Sequence, residues 1–216
     1  MPRPMTIDFI SDISCPWCAV GLKGLEEALA RLGDVVDAHI TFQPFELNPD
    51  MAPGGEDNLT HITRKYGLTA EQAAANRETI RVRAQAVGFA MAALDRRRLY
   101  NSFDAHRLLH WAGLEGPQLA LKDALFDAHF NAGADISNPD VLVAAAEKAG
   151  LDGQEARTVL ASNRYAKEVR QAEELWQVRG IRSVPSIIVD GRYLISGGQP
   201  PEAFEQALRQ IATEAA

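Results

Sequence analysis

The chain has 216 residues, 46% hydrophobic and 24% charged, and carries a formal charge of −7. This is enough for one large domain, or a domain with a sizeable insertion, that buries a core. The acidic balance argues against nucleic acid as a partner, because phosphate binding needs a basic face. No stretch approaches the roughly 18 apolar residues of a membrane span.

Met1-Pro2-Arg3-Pro4 leads straight into a β-prone segment without the apolar core of a secretion signal, so a cytoplasmic protein is expected. Residues 5–11 are predicted as the first strand, turning through Asp12, Ile13 and Ser14 into Cys15-Pro16-Trp17-Cys18. A helix follows over residues 16–31: Leu22, Leu25, Leu29 and Leu32 recur at helical spacing, and Gly33 is placed as the residue that ends it. In residues 37–45, Ala38, Ile40 and Phe42 alternate with polar neighbours, which predicts a second strand. Strand, helix and strand in this order form a right-handed parallel unit.

Residues 48–57 hold two prolines and two glycines and mark a loop and a boundary. From there to residue 162 the pattern is almost wholly helical. Thr69 and Gln72 form a capping box for a helix ending near Gly88. Residues 94–100 fit no pattern, and Arg96-Arg97-Arg98, the one basic run, is expected to be a solvated turn. Asn101 or Ser102 caps a helix through Leu114 with Phe103, Leu108 and Trp111 as apolar anchors. Gly116-Pro117 opens the next, with Leu121, Leu125 and Phe126 inward. Asn138-Pro139 opens a third that ends at Gly150, and a short one follows Asp152. A longer helix over residues 164–178 presents Tyr165, Val169, Ala172, Leu175 and Trp176 as its buried stripe. Val184-Pro185 then starts a hairpin whose turn is Asp190-Gly191. A last helix from residue 201 to about 214 turns Phe204, Leu208 and Ile211 inward.

Cys15 and Cys18 are the only cysteines. A C-x-x-C at a strand-to-helix turn reads as a thiol–disulfide site. Pro16 fits the first helical position, and the free N–H groups and dipole of the helix start favour a thiolate on Cys15. Cys18, one turn further, is placed to close a small ring with it. A zinc site wants four ligands, and of the histidines only His106 and His110 have an i, i+4 spacing, so no metal is expected. An inert disulfide would close a tiny loop and stabilise little. Disulfides are rare in the cytosol unless catalytic or redox-sensing, which favours a redox-active pair. Asp12 or Asp8 is a candidate proton relay to Cys18, and His106 a candidate accessory group.

The full order of elements, with Val184-Pro185 late in the chain, resembles the thioredoxin fold with a helical insertion, an α/β fold. Residues 1–50 and 163–216 would form the thioredoxin-like domain, and residues 51–162 the inserted helical domain. Within that fold the chain resembles the DsbA-like family and its FrnE-like, cytosolic branch. The resemblance is carried by Asp12-Ile13-Ser14-Cys15-Pro16-Trp17-Cys18, by Gly180-Ile181-Arg182-Ser183-Val184-Pro185-Ser186 and by Ser196-Gly197-Gly198-Gln199-Pro200. A softer match runs through Asn101, His106, Arg107 and Leu108.

The resemblance implies that Pro185 is cis and packs beside the cysteines, keeping metals out and exposing the backbone of Val184 to an extended substrate. Cys15 would form a mixed disulfide with a thiol or disulfide substrate, protein or small molecule, and Cys18 would resolve it. Pro16 and Trp17 would shape the active-site loop. No cofactor beyond the Cys15–Cys18 disulfide is implied, with glutathione a candidate co-substrate and a homodimer left open. Pro-Trp lacks the histidine of strongly oxidising Cys-Pro-His-Cys enzymes, which implies an intermediate potential. The alternative is a glutathione-dependent isomerase or transferase of the kappa and 2-hydroxychromene-2-carboxylate type, which typically carries a serine where Cys15 stands. A third reading is a non-catalytic redox sensor or chaperone-like module.

Overall fold

A computed structural model describes residues 1–94 and 98–214. Of the basic run, Arg96 and Arg97 lie outside the described residues, while Arg98 is exposed. Strand β1 (Arg3–Ser11) leads into helix α1 (Pro16–Arg31), and β2 (Val36–Pro44) returns parallel to β1, in register from Arg3↔Val36 to Ser11↔Pro44. Two short antiparallel strands, β3 (Glu56–Asp57) and β4 (Arg98–Leu99), bracket helices α2 (Asn58–Tyr66) and α3 (Ala70–Ala86). Helices α4 (Phe103–Glu115), α5 (Gln118–Phe126), α6 (Pro139–Lys148), α7 (Gly153–Ala161) and α8 (Ala166–Val178) follow, with a π-helical turn (Asp127–Asn131) after α5. The hairpin β5 (Ser186–Val189) and β6 (Tyr193–Ser196) and helix α9 (Pro201–Glu214) complete the chain. The main sheet has the order β2-β1-β5-β6, with β5 antiparallel to β1.

Central strand β1 alternates buried Met5, Ile7 and Phe9 with Thr6 and Asp8, and both its faces are covered at its end, where Phe9, Ile10 and Ser11 are all buried. Met5, Ile7 and Phe9 enter the main core with Leu22, Leu25, Phe204 and Leu208 of α1 and α9. Ile10 meets Trp176 and Ile181 in a second, smaller cluster. The inserted helices share the main core through Leu108, Leu121, Leu125, Phe126 and Leu142, so sheet and insertion are packed as one body. An unpaired strand edge invites association. Here Gln118 closes the free edge of β2: its Oε1 accepts from the Phe42 amide at 3.0 Å, and its Nε2 donates to the Phe42 carbonyl at 3.3 Å.

Local signals hold at several junctions. Thr69 and Gln72 form the reciprocal capping box. The hairpin turns through Asp190 and Gly191, both left-handed with φ of 51° and 65°. Two local expectations are corrected, and one element has no sequence signal. Helix α1 ends at Leu32, whose amide reaches the Ala28 and Leu29 carbonyls, and Gly33 is not left-handed. Leu175 is exposed, because the buried line of α8 is Val169, Glu173 and Trp176, an i, i+4, i+7 set that Leu175 misses by one residue. The β3–β4 pair has two residues per strand, too few to leave a period in the sequence.

Candidate active site

The turn between β1 and α1 is built around Asp12. Its Oδ1 accepts from the Ser14 amide at 3.0 Å and its Oδ2 from the Leu47 amide at 2.7 Å. Its carbonyl accepts from the Cys15 amide at 3.2 Å. One buried carboxylate therefore ties the cysteine turn to the loop after β2. Cys15 is the N-cap of α1, extended at φ −89° and ψ 114°, and Pro16 takes the first helical turn. The Cys18 amide donates to the Cys15 carbonyl at 3.1 Å, which sets the two cysteines one turn apart.

The second wall comes from the far end of the chain. The Val184–Pro185 peptide is cis. The Cys15 thiol approaches the Val184 carbonyl at 3.8 Å, and the Pro185 carbonyl accepts from the Gly197 amide at 2.8 Å. Glycines make this approach sterically available. A Cβ on Gly21 would lie 3.1 Å from both Pro185 Cγ and Gly198 Cα, and a Cβ on Gly198 would lie 2.7 Å from the Trp17 carbonyl oxygen. Residues 15–18, 184–185 and 197–198 are thus one contiguous surface.

Both cysteines are free thiols. Cys15 is 5% exposed and Cys18 is fully buried. Their environments separate them. The Cys18 hydrogen bond pulls the Cys15 thiol below its ordinary pKa, against the cost of burial. Burial first, and the neighbouring Cys15 second, push the Cys18 thiol well above its own. Cys15 therefore ionises first while Cys18 keeps its proton.

Asp12 lies behind the pair. Burial raises its pKa, but His106 and the Leu47 and Ser14 amides outweigh that and hold it below the usual carboxylate range. His106 Nε2 stands 3.8 Å from Asp12 Oδ1, an ion-pair distance too long for a direct hydrogen bond. Asp8 accepts from Gln43 Nε2 at 2.7 Å across the β1–β2 pair, so of the two acids only Asp12 belongs to the cysteine turn. His110, one turn further along α4, packs on Tyr165 with ring centroids 5.2 Å apart and lines the same cleft as His106. Among the described residues no three His, Cys, Asp or Glu side chains gather as metal ligands.

Two features escaped the sequence reading. Lys122 of α5 is fully buried and donates to the Ser11 hydroxyl, at the end of β1, over 2.8 Å. The inserted helices also roof the site: a pocket of about 520 Å³ opens at Cys15, Pro16 and Trp17 and is walled by Ile62, Tyr66, Arg77 and Ile80 of α2 and α3. Helices α2 and α3, which form its outer wall, carry no sequence motif for a binding site.

A βαβ unit joined to a hairpin, with a C-x-x-C at the first helix tip facing a cis proline, defines a thioredoxin-like protein. Residues 6–209 match the family model described as a DSBA-like thioredoxin domain, and the chain belongs to that family. It is 27% identical over 204 residues to the uncharacterized protein YwbO of Bacillus subtilis (strain 168), covering 94% of each chain. The crystal structure of a probable DsbA oxidoreductase from Streptomyces coelicolor superposes with a TM-score of 0.90 at 38% identity, over 98% of this chain and 91% of that one. A solved 2-hydroxychromene-2-carboxylate isomerase shares the fold, with a TM-score of 0.69 at 15% identity over 97% of both chains. The family, and the thioredoxin-like fold with its helical insertion, accord with the expectation from the sequence.

Proposed function

We propose that the protein is a thiol–disulfide oxidoreductase that works through a mixed disulfide on Cys15, resolved by Cys18. The observation that carries this reading is the unequal pair of thiols: Cys15 acidified at the helix tip beside the Val184 carbonyl, Cys18 buried and protonated beneath it. A lowered thiol pKa provides a nucleophile near neutral pH, and a raised one keeps the resolving sulfur silent until it is needed.

In the first step the Cys15 thiolate attacks a substrate disulfide, forms the Cys15–substrate bond and expels the other substrate sulfur as thiolate. In the second, Cys18 attacks Cys15, closes the intramolecular disulfide and releases the second substrate thiol. The substrate enters the roofed pocket, whose volume suits a small disulfide or one extended segment better than a folded surface. An extended segment pairs with the backbone of Val184. Pro16 and Trp17 shape the rim, and Pro185 fixes the facing wall. Glutathione is the candidate co-substrate that restores the dithiol, no bound cofactor or metal takes part, and the cytoplasm is the setting in which such a pair is catalytic.

The test is trapping. Cys18→Ala incubated with a disulfide should accumulate an adduct on the Cys15 peptide, wild type should turn over, and Cys15→Ser should do neither. An adduct seen only when Cys15 is removed would reverse the roles. The second reading, a glutathione-dependent isomerase, rests on the shared fold of the solved isomerase and on the roofed pocket. The intact pair favours redox work. Glutathione-dependent turnover of an aromatic substrate, undiminished by loss of Cys18, would favour the isomerase instead.

A further inference from the structure

The roof over Cys15 is held by polar ties more than by apolar burial. The buried residues of α3 are Ala73 and Ala84, and that of α2 is His61. Two methyl groups and an imidazole bury little apolar surface, and Ile80 and Val87 add half-buried contacts with the main core. A segment with so few buried apolar groups opens locally at low cost unless something else holds it. Polar ties stand at both ends of this helix pair.

At the α2 end, Lys65 Nζ donates to the Leu47 carbonyl at 2.7 Å and to Asn48 Oδ1 at 2.8 Å, and His61 Nε2 lies 2.9 Å from the same oxygen. Leu47 is the residue whose amide Asp12 holds, so this tie ends on the cysteine turn. At the α3 end, Arg83 Nη2 donates to the Gly198 carbonyl at 3.1 Å, across 115 residues of sequence. Gly198 is where roof, rim and facing wall meet. It lies against Trp17, its neighbour Gly197 donates to the Pro185 carbonyl, and Arg83 brings in the roof. Between the two ties in sequence, Tyr66, Ala73 and Ile80 line the pocket at Cys15.

We propose that Lys65 and Arg83 are specificity-determining residues: by latching the roof they set Cys15 for low-molecular-weight disulfides and against the disulfides of folded proteins. This rests on the oxidoreductase reading and leaves its chemical steps unchanged. The pocket offers about 520 Å³, and Cys15 is 5% exposed within it. A low-molecular-weight disulfide ends a few atoms from its sulfurs and fits such a space. A disulfide in a folded protein brings chain running both ways from each half-cystine, and the latched roof stands in its path. Lys65 and Arg83 bond carbonyl oxygens of the frame, so the selection comes from excluding the wider substrate rather than from binding the narrow one better.

The experiment compares two oxidants of the reduced enzyme. The full-length dithiol protein is mixed with excess hydroxyethyl disulfide or excess insulin, quenched in acid at graded times and alkylated, and its remaining dithiol is read by mass spectrometry. The ratio of the two second-order rate constants is the readout. Arg83→Met keeps the aliphatic stem and removes the donor. It should raise the insulin rate relative to the hydroxyethyl disulfide rate about tenfold, the scale of one charge-assisted hydrogen bond. Arg83→Lys, which restores one donor, should return the ratio most of the way to wild type. Lys65→Met, at an exposed position, should move the ratio in the same direction and tests the latch independently should Arg83→Met not fold. An unchanged ratio in the folded variants, or an equal fall of both rates, overturns the proposal and leaves the oxidoreductase reading intact. Wild-type dithiol that neither disulfide oxidises overturns both.

Discussion

Replacing Asp12 by Asn probes the strut that holds the active-site turn. The carboxylate accepts two backbone amides from different segments, Ser14 at 3.0 Å and Leu47 at 2.7 Å. An amide side chain has one oxygen, so one of these N–H groups must face an NH₂ group. That loses one charge-assisted hydrogen bond and leaves a buried donor unpaired, together about 3 kcal/mol. For a domain of this size the melting temperature should fall by about 6–12 °C. Denaturant unfolding should show a lower midpoint with an unchanged slope. Because the folded pKa of Asp12 is depressed, its contribution is complete above the unfolded value and is lost only as pH falls through the folded one. The gap between wild type and variant should thus persist from neutral pH into mild acid and narrow only in strong acid. Removing the charge also removes the repulsion by which Asp12 disfavours a Cys15 thiolate, so the Cys15 thiol should become more acidic. A variant within about 0.5 kcal/mol of wild type at neutral pH would refute the strut.

Lys122→Met should stabilise the protein. The folded pKa of about 8 lies below the ordinary lysine value of 10.5, so stability rises with pH between the two, and at neutral pH the penalty of about 3 kcal/mol is present in full. Loss of the Ser11 hydrogen bond offsets about 1 kcal/mol, leaving a net gain visible as a higher melting temperature; a fall would contradict the account. Gly198→Ala drives a methyl into the Trp17 carbonyl and should cost about 1–3 kcal/mol in thermal unfolding and lower turnover, whereas an unchanged variant would show that the two loops do not press together. Cys15 alkylation by iodoacetamide should reach half-maximal rate below the pH of an ordinary thiol, and Cys18→Ala should move that midpoint up by removing the hydrogen bond.

The site was legible where its signal is local. Cys15 and Cys18 announce themselves by spacing, Pro16 by its place at a helix start, and Asp190-Gly191 by turn chemistry. Pro185 carries little meaning alone and gains it from its position after the last long helix. Other features are tertiary and leave no local trace. Lys122 sits between Leu121 and Leu125 like any polar residue near an apolar stripe, and only the arrival of Ser11 at the end of β1 encloses it. Asp12 and His106 are far apart in sequence, and the 3.8 Å between them depends on how α4 crosses behind the sheet. Leu175 shows a related limit: it is apolar at roughly the right spacing, yet Glu173, paired with Arg170, holds the inward position.

The most direct measurement is the redox equilibrium of the intact chain in glutathione buffers of graded ratio, read by mass spectrometry after acid quench. The account predicts a reversible loss of two hydrogens with a single midpoint, and a Cys15–Cys18 link in the oxidised peptide. A chain that stays dithiol at every ratio, or that oxidises without returning, would contradict it.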